Sequence, residues 1–186
     1  EAPFPAALQD VRAALRYLKS NAGKYRIDAD KVALWGGSAG GHLAALAALS
    51  CGDASLDPPP GQVKPAPGSE CVQGAAIWYG VFDFAPILAR SGEAAENAFL
   101  ECKDPCPADK VRRASPVSYI AAGDPPFLLI HGEGDRVVDV SQSRSGEAAL
   151  RAAGVDVKSI YIPHVDHSFI GRSREETRQA TLDVTN

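Results

Sequence analysis

The sequence predicts an α/β fold in which one mostly parallel sheet carries helices on both faces. Short apolar strands alternate with helices along the chain, which is typical of βαβ units. The strands show almost no polar alternation, as expected where helices cover both sides of a sheet. The 186 residues suffice for one domain, 1–186, and no internal repeat divides them.

The first half of the chain supplies two helices and a strand. Apolar residues at helical spacing predict a helix over 4–21, which an Asn-Ala-Gly stop ends. A short buried strand is expected over 31–36, and a second helix begins directly after Ser38. Residues 52–70 are rich in proline and glycine and are expected to form a loop.

The second half repeats the alternation of strand and helix, and proline or glycine marks most of the boundaries. The predicted elements are strands over 72–79, 127–130 and 157–162 and helices over 141–153 and 172–183. Residues 83–118 look irregular. We expect them to lie over one end of the sheet as a substrate-side insertion.

Composition excludes several kinds of partner. The formal net charge is −4 and no basic run stands out, so nucleic acid is not expected as a partner. The apolar stretches fall far below the roughly 18 residues of a membrane span, so no membrane partner is expected. The chain lacks a Gly-x-Gly-x-x-Gly turn after its first strand, and its cysteines lack zinc-site spacing. We therefore expect no cofactor and no metal.

The turn after the first strand carries the pattern Gly-x-Ser-x-Gly over Gly36 to Gly40. This pattern aims a serine hydroxyl out of the sheet, and glycines are expected where side chains would collide with neighbouring elements. Ser38 is then a candidate nucleophile. The N–H of Ala39 is a candidate donor to a developing oxyanion. A turn that only packs tightly or binds phosphate is the alternative.

A nucleophilic serine needs a base, and the chain has four histidines. His42 lies one turn along the helix that follows Ser38, and His131 ends the third strand, so both are expected to be structural. His164 and His167 follow the fourth strand. We favour His167, which precedes the point where the chain turns back towards its last helix, and keep His164 as the alternative.

The carboxylate that orients the base should follow the third strand. Asp135 is the favoured candidate, with Glu133 and Asp139 as competitors, and Asp139 is placed to cap the next helix. Its task would be to fix the imidazole tautomer and stabilise the charge of the ring. The order Ser38, Asp135, His167, each after a separate strand, is the one expected for this kind of fold.

Aromatic residues after the second strand are candidates for substrate contact. Trp78 and Tyr79, followed by Phe82 and Phe84, are expected to line an acyl or alcohol pocket. An ordinary core position is an equally good interpretation for Trp78 and Phe82.

Three segments together resemble a known family. Residues 28–43, 125–135 and 166–169 are similar to α/β-hydrolase esterases related to hormone-sensitive lipase and to bacterial feruloyl and acetyl esterases. The resemblance covers almost the whole chain. It implies a serine carboxylesterase that acts on short or aromatic acyl esters of small molecules, with acylated carbohydrate as a candidate substrate. A serine peptidase of the same fold and a non-catalytic binding module are the alternatives.

One departure from that family matters. Its members carry a His-Gly-Gly motif that completes the oxyanion hole, and none occurs before residue 31 here. The strand over 32–36 would also be left as an exposed apolar edge. We therefore expect the C-terminal part of a longer enzyme that lacks its N-terminal strands. Loss of one oxyanion donor typically lowers turnover about 10²–10³-fold, so the isolated chain should be nearly inactive.

The four cysteines allow three pairings, and two local bridges are preferred, Cys51–Cys71 and Cys102–Cys106. Both would close short irregular stretches. Such bridges imply an oxidising compartment, so the protein would be secreted or periplasmic. Four free thiols in a cytosolic protein are the alternative.

Overall fold

Four parallel strands pair in the order in which they occur along the chain. The sheet belongs to a computed structural model that describes residues 2–58, 69–90, 94–103 and 105–185. The proline-rich centre of the predicted loop therefore lies outside the described residues, as do residues 91–93 of the predicted insertion. The strands are β1 (Ala33–Gly37), β2 (Gly74–Trp78), β3 (Phe127–Gly132) and β4 (Val157–Ile162).

The register brings the carboxyl ends of all four strands to one edge. Gly37 of β1 pairs with Trp78 of β2, Trp78 pairs with Ile130 of β3, and Ile130 pairs with Ile160 of β4. The loops that follow the strands therefore start side by side. Ligands bind at this edge in open α/β sheets.

Helices connect and flank the strands, with boundaries that shift by a few residues from the predicted ones. Among the described residues, none of these helices is long and apolar enough to cross a membrane. The helices are α1 (Ala6–Ser20), α2 (Ala22–Tyr25), α3 (Ala39–Leu49), α4 (Ala85–Leu88), α5 (Ala94–Leu100), α6 (Ala108–Ala114), α7 (Ser141–Ala152) and α8 (Arg174–Thr185). Short 3₁₀ turns occur at Ala54–Leu56, Pro116–Tyr119 and His167–Phe169.

Helices cover both faces of the sheet. On one face α1, α3 and α7 share a core with Ile77 and Leu129, which are fully buried. On the other face Ala180 of α8 packs with Phe169 and Ile130. Neighbouring residues of β3 thus point into different cores, which explains why this strand is apolar throughout.

The segment predicted as an irregular insertion contains α4, α5 and α6. Its apolar side chains form a cluster with Val81, which follows β2, and Val138, which follows β3. This places the described part of 83–118 at the carboxyl edge of the sheet. It lies next to the turn that carries Ser38.

The cysteines pair as predicted, Cys51 with Cys71 and Cys102 with Cys106. A buried ionic network lies beside the first bridge. Arg16 of α1 pairs with Glu70 at 3.0 Å, and Glu70 also accepts the N–H of Gly52 at 3.1 Å. The network joins α1 to both sides of the predicted loop.

Candidate active site

Ser38 occupies a sharp turn between β1 and α3. Its backbone is in a positive-φ conformation (φ 55°, ψ −124°), and its N–H donates to the carbonyl oxygen of Trp78 at 2.9 Å. A non-glycine residue in this region of φ is strained, and such strain occurs at functional sites. Ser38 directly follows β1, and α3 begins at the next residue, Ala39.

The glycines around Ser38 have different roles. A Cβ on Gly36 would lie 2.2 Å from the carbonyl oxygen of Gly40, so only glycine fits there. A Cβ on Gly40 would meet no described atom within 4 Å, so the expected collision at this flank is wrong. Within α3 the glycine that has close neighbours is Gly41, where a Cβ would lie 3.1 Å from the Cα of Gly80. The helix therefore touches the sheet through Gly41.

The three favoured residues meet at the carboxyl edge of the sheet. Nε2 of His167 lies 3.0 Å from the hydroxyl oxygen of Ser38, and Nδ1 of the same ring lies 2.7 Å from Oδ2 of Asp135. The carboxylate accepts the Nδ1 hydrogen, so Nε2 is left to accept the hydroxyl hydrogen. This is the geometry of a nucleophile, a base and an orienting acid.

The side chain of Asp135 is buried and fully hydrogen-bonded. Oδ1 accepts the backbone N–H groups of Val137 at 2.9 Å and Val138 at 2.8 Å, and Oδ2 faces His131 as well as His167. Burial by itself would raise the pKa of the carboxyl group. The hydrogen bonds from the two histidines and the two amides outweigh it and hold the pKa of Asp135 below its usual range. The carboxylate therefore stays ionised at neutral pH.

A second carboxylate holds the loop that carries His167. Oδ1 of Asp166 accepts the N–H groups of Arg136 at 2.9 Å and His167 at 2.8 Å, and Oδ2 accepts Nε of Arg136 at 2.7 Å. The hydrogen bond from the Arg136 N–H, followed by those from the His167 N–H and the Arg136 guanidinium, lowers the pKa of Asp166 to about 2. Asp166 thus ties the loop after β4 to the loop after β3.

The alternative acids and base lie elsewhere. His164 contacts Arg172 at 3.3 Å rather than Ser38. Asp139 accepts the N–H of Ser141 and caps α7, and Glu133 pairs with Arg144 at the surface. The structure therefore brings together the favoured set and separates it from its competitors.

His42 makes packing and hydrogen-bond contacts inside the protein, as expected for a structural histidine. Its Nε2 lies 2.7 Å from the carbonyl oxygen of Ala114, and the ring packs edge-on against Phe84 and Phe99. Burial lowers the pKa of His42 to about 4, so the ring is uncharged at neutral pH. It donates its Nε2 hydrogen and ties α3 to the end of α6.

A cavity of about 290 Å³ opens beside Ser38. Most of its wall is apolar, and Arg90 and Glu96 supply its charged groups. Helices α4 and α5 contribute Ile87, Ala95, Glu96 and Phe99 to the wall. They lie in the stretch that was predicted to be irregular, so the sequence did not identify these residues as part of a cavity. The apolar lining consists of Ala39, Leu43, Val81, Phe84, Ile87, Ala95, Phe99, Val137 and Val138.

Trp78 and Tyr79 do not line this cavity, contrary to the expectation for substrate contact, whereas Phe84 does. The indole of Trp78 packs edge-on against Trp35 and Phe169. The ring of Tyr79 packs edge-on against His167, with centroids 4.6 Å apart. The two rings therefore pack against the segment His167–Phe169, which carries the histidine.

Comparison with known proteins finds relatives of this chain among esterases. The BD-FAE family model matches residues 1–150. Esterase LipQ of Mycobacterium tuberculosis is 38% identical over 175 residues, which cover 89% of this chain and 39% of LipQ. The chain spans about two fifths of the length of three curated relatives from that organism, LipQ, LipM and LipC.

Solved structures agree with this. A truncated form of a carbohydrate esterase from gut microbiota is 30% identical, with a TM-score of 0.78 over 100% of this chain and 70% of that one. A bifunctional GH43-CE protein of Bacteroides eggerthii is also 30% identical, with a TM-score of 0.82 over 99% of this chain and 27% of that one. The predicted α/β-hydrolase fold is confirmed.

Proposed function

Because this chain belongs to the BD-FAE family of α/β-hydrolase esterases, we propose that it hydrolyses carboxylic esters through an acyl-enzyme on Ser38. The hydrogen-bonded series from Ser38 through His167 to Asp135 is the observation that carries this proposal. The esterases among its relatives support the same reaction.

The mechanism follows from the positions of the hydrogens. His167 Nε2 takes the hydroxyl proton of Ser38 while the oxygen attacks the ester carbonyl carbon. The resulting oxyanion accepts the N–H of Ala39, at the positive end of the α3 dipole. Protonated His167 then gives its proton to the departing alkoxide, and the carbon–oxygen bond of the ester breaks. Asp135 stays ionised and stabilises the imidazolium.

Deacylation repeats these steps with water. His167 takes a proton from a water molecule, whose oxygen attacks the acyl carbon on Ser38. The second oxyanion collapses, the acid leaves, and the proton returns through His167 to the Ser38 oxygen. The enzyme is then restored with one ester and one water converted to an alcohol and an acid.

The cavity supports a short or single-ring acyl group. Its volume of about 290 Å³ lies at the small end of ligand pockets, which run roughly from 300 to 1,000 Å³. Phe84 and Phe99 give its wall two aromatic rings. The alcohol is proposed to be a carbohydrate, which the gut carbohydrate esterase among the solved structures supports.

A fluorophosphonate probe tests the reaction class. We expect covalent labelling at Ser38, located by mass spectrometry of the digested protein, and none in Ser38→Ala. Asp135→Asn should label much more slowly than wild type, because His167 loses the carboxylate that accepts its Nδ1 hydrogen. A full-length wild-type protein that stays unlabelled would exclude both the esterase and the peptidase and favour a binding module.

Rates on p-nitrophenyl esters test the substrate class. We expect kcat/KM to peak at short or aromatic acyl groups and to fall for long chains, and Phe99→Ala should move the peak to longer chains. Peptide cleavage faster than ester cleavage would favour the peptidase instead.

The two disulfides support a secreted or periplasmic location. Finding the mature protein in the cytosol with four free thiols would contradict that location.

A further inference from the structure

His131 lies directly behind the triad and has no part in the reaction described above. It is the fifth residue of β3, and its side chain is fully buried. Its Nδ1 lies 2.7 Å from the hydroxyl oxygen of Ser143 on α7. Its Nε2 lies 2.9 Å from the carbonyl oxygen of Val138 and 3.2 Å from Oδ2 of Asp135.

These partners assign the hydrogens of the ring. A carbonyl and a carboxylate only accept hydrogen bonds, so Nε2 carries the hydrogen that faces them. In the neutral ring Nδ1 then accepts the hydroxyl hydrogen of Ser143. Oδ2 of Asp135 therefore receives two N–H groups, one from His131 and one from His167.

We propose, on the basis of the proposed esterase function, that His131 is a positioning residue for the reaction at Ser38. Its N–H fixes the rotation of the Asp135 carboxylate with Oδ2 towards His167. It also shares the negative charge of Oδ2, so it limits how strongly Asp135 stabilises the protonated ring of His167. Ser143 serves the same end because it holds the tautomer of His131.

The arrangement is symmetric about one oxygen. A serine, a histidine and then Oδ2 of Asp135 follow one another on both sides, with Ser143 and His131 buried and Ser38 and His167 at the cavity. A histidine that served packing alone would need neither the Nε2 hydrogen nor the Ser143 hydroxyl. A buried apolar side chain would fill the same volume without the cost of burying polar atoms.

Other charged groups lie around this unit. Asp139, at the start of α7, lies within electrostatic range of Arg90 and of the His131 ring. On the histidine loop Asp166 is paired with Arg136, and the phenol of Tyr79, after β2, packs on His167. No hydrogen bond joins any of these groups to Oδ2 of Asp135 within the described part of the chain. The direct donors to that oxygen are the two histidines.

The consequence has a definite sign. Without the His131 N–H, Oδ2 keeps more of its negative charge. Protonated His167 is then stabilised more strongly. The acid limb of the pH profile of kcat/KM reports the base in the free enzyme, so this limb moves to higher pH.

Two substitutions at one position separate positioning from packing. His131→Leu fills a similar volume without a donor, whereas His131→Gln can present an N–H to Asp135. In His131→Leu we expect the acid limb to rise by about 0.5–1 pH unit and kcat to fall roughly 10-fold, with KM unchanged. His131→Gln should keep the wild-type limb. An unmoved limb in His131→Leu, or equal shifts in both variants, would overturn the proposal.

A third variant covers the case in which His131→Leu does not fold, as judged by circular dichroism. Ser143→Ala leaves the imidazole in place and removes only the hydroxyl that holds its tautomer. We expect a smaller upward shift of the same limb, and no shift in this variant would also overturn the proposal. Full-length wild-type protein that fails to label at Ser38 would instead contradict the esterase function itself.

Discussion

Four hydrogen bonds converge on the carboxylate of Asp135. The amides of Val137 and Val138 reach Oδ1, and His131 and His167 reach Oδ2. All four partners donate, so the group in the middle must accept from every direction. An ionised carboxylate meets this demand and a carboxamide does not, since its NH₂ would face at least one donor.

This makes Asp135→Asn a sensitive substitution. We expect kcat to fall about 10³–10⁴-fold, because the base loses either its acceptor or its correct tautomer. Asp139→Asn is the matched control, since Asp139 holds only the start of α7, and its kcat should stay within about threefold of wild type. Steady-state kinetics on one short ester compare the two variants. Similar losses in both would contradict the assignment of the acid.

At the scale of elements, the turn at Ser38 works because β1 and α3 meet without side chains between them. Because Gly36 has no Cβ, the carbonyl of Gly40 can approach it closely. In the same way, Gly41 lets Gly80, just after the neighbouring strand, come close to α3. Gly40 is different, because its own Cβ position is open. The sequence pattern alone treats both flanking glycines alike, and only the packing separates them.

Alanine at these two positions should therefore have opposite effects. Gly40→Ala removes a glycine from a helix and should raise the free energy of unfolding by about 0.5–1 kcal/mol. Gly36→Ala forces the strand and helix apart and should lower it by roughly 1–3 kcal/mol. Urea unfolding of the two variants measures both changes. A Gly36→Ala variant as stable as wild type would contradict the close approach.

The meeting of three polar side chains at one edge of the sheet could be predicted, because parallel strands put their carboxyl ends together. Ser38, Asp135 and His167 each follow a different strand, so their order along the chain was enough to bring them to one edge. The contacts of Tyr79 could not be predicted in this way. Its backbone turns at a positive φ of 37°, which sends its ring to the histidine loop instead of the cavity.

The cavity wall and the contacts of His131 could not be predicted from the sequence either. Phe99 reaches the cavity through the packing of α5, an element with no strong sequence signal of its own. His131 could be identified as buried from its place in β3. Its contact with Asp135 depends on the tight turn after that strand, where the N–H of Asp135 donates to the carbonyl of Gly132 at 3.2 Å.

Helix α1 is held to the first disulfide loop by buried charge. Arg12, which is 1% exposed, pairs with Asp57 at 2.9 Å and donates to the hydroxyl of Ser50 at 3.0 Å. It also contacts the carbonyl oxygen of Ser50. Removing one partner of such a pair leaves the other charge buried and incompletely compensated.

We therefore expect Arg12→Met to lower the free energy of unfolding by roughly 3–5 kcal/mol. Arg178→Met is the control, because Arg178 pairs with Glu175 on the exposed surface of α8. That pair should contribute less than about 1 kcal/mol. Thermal and urea unfolding report both values, and equal losses would show that burial of Arg12 adds nothing.

At the scale of the whole molecule, several carboxylates make the fold sensitive to acid. Burial opposes the ionised form of Asp57, Glu70 and Asp135, but hydrogen bonds from neighbouring arginines, histidines and amides outweigh it and lower their pKa values. The unfolded chain therefore takes up these protons first as the pH falls. The stability they contribute is complete above their unfolded pKa values, near 4, and is lost as the pH falls through the folded ones.

His42 acts over a higher range of pH. Its pKa falls from 6.5 to about 4 on folding, because burial disfavours the charged ring. Between these values the unfolded chain holds a proton that the folded chain lacks. Stability is therefore complete above pH 6.5 and declines towards pH 4, by an amount on the order of 3 kcal/mol. The carboxylates add little in this interval, because most of them are ionised in both states.

The variant His42→Gln isolates this contribution. Glutamine can donate an N–H to the carbonyl oxygen of Ala114 but does not titrate, so the free energy of unfolding should decline less than in wild type between about pH 6.5 and pH 4.5. Urea unfolding across that range compares wild type and variant, with circular dichroism at neutral pH to establish that both fold. Parallel curves would mean that His42 is charged or solvated in the native state. The contact of His42 with the carbonyl oxygen of Ala114 would then differ from the buried one described above.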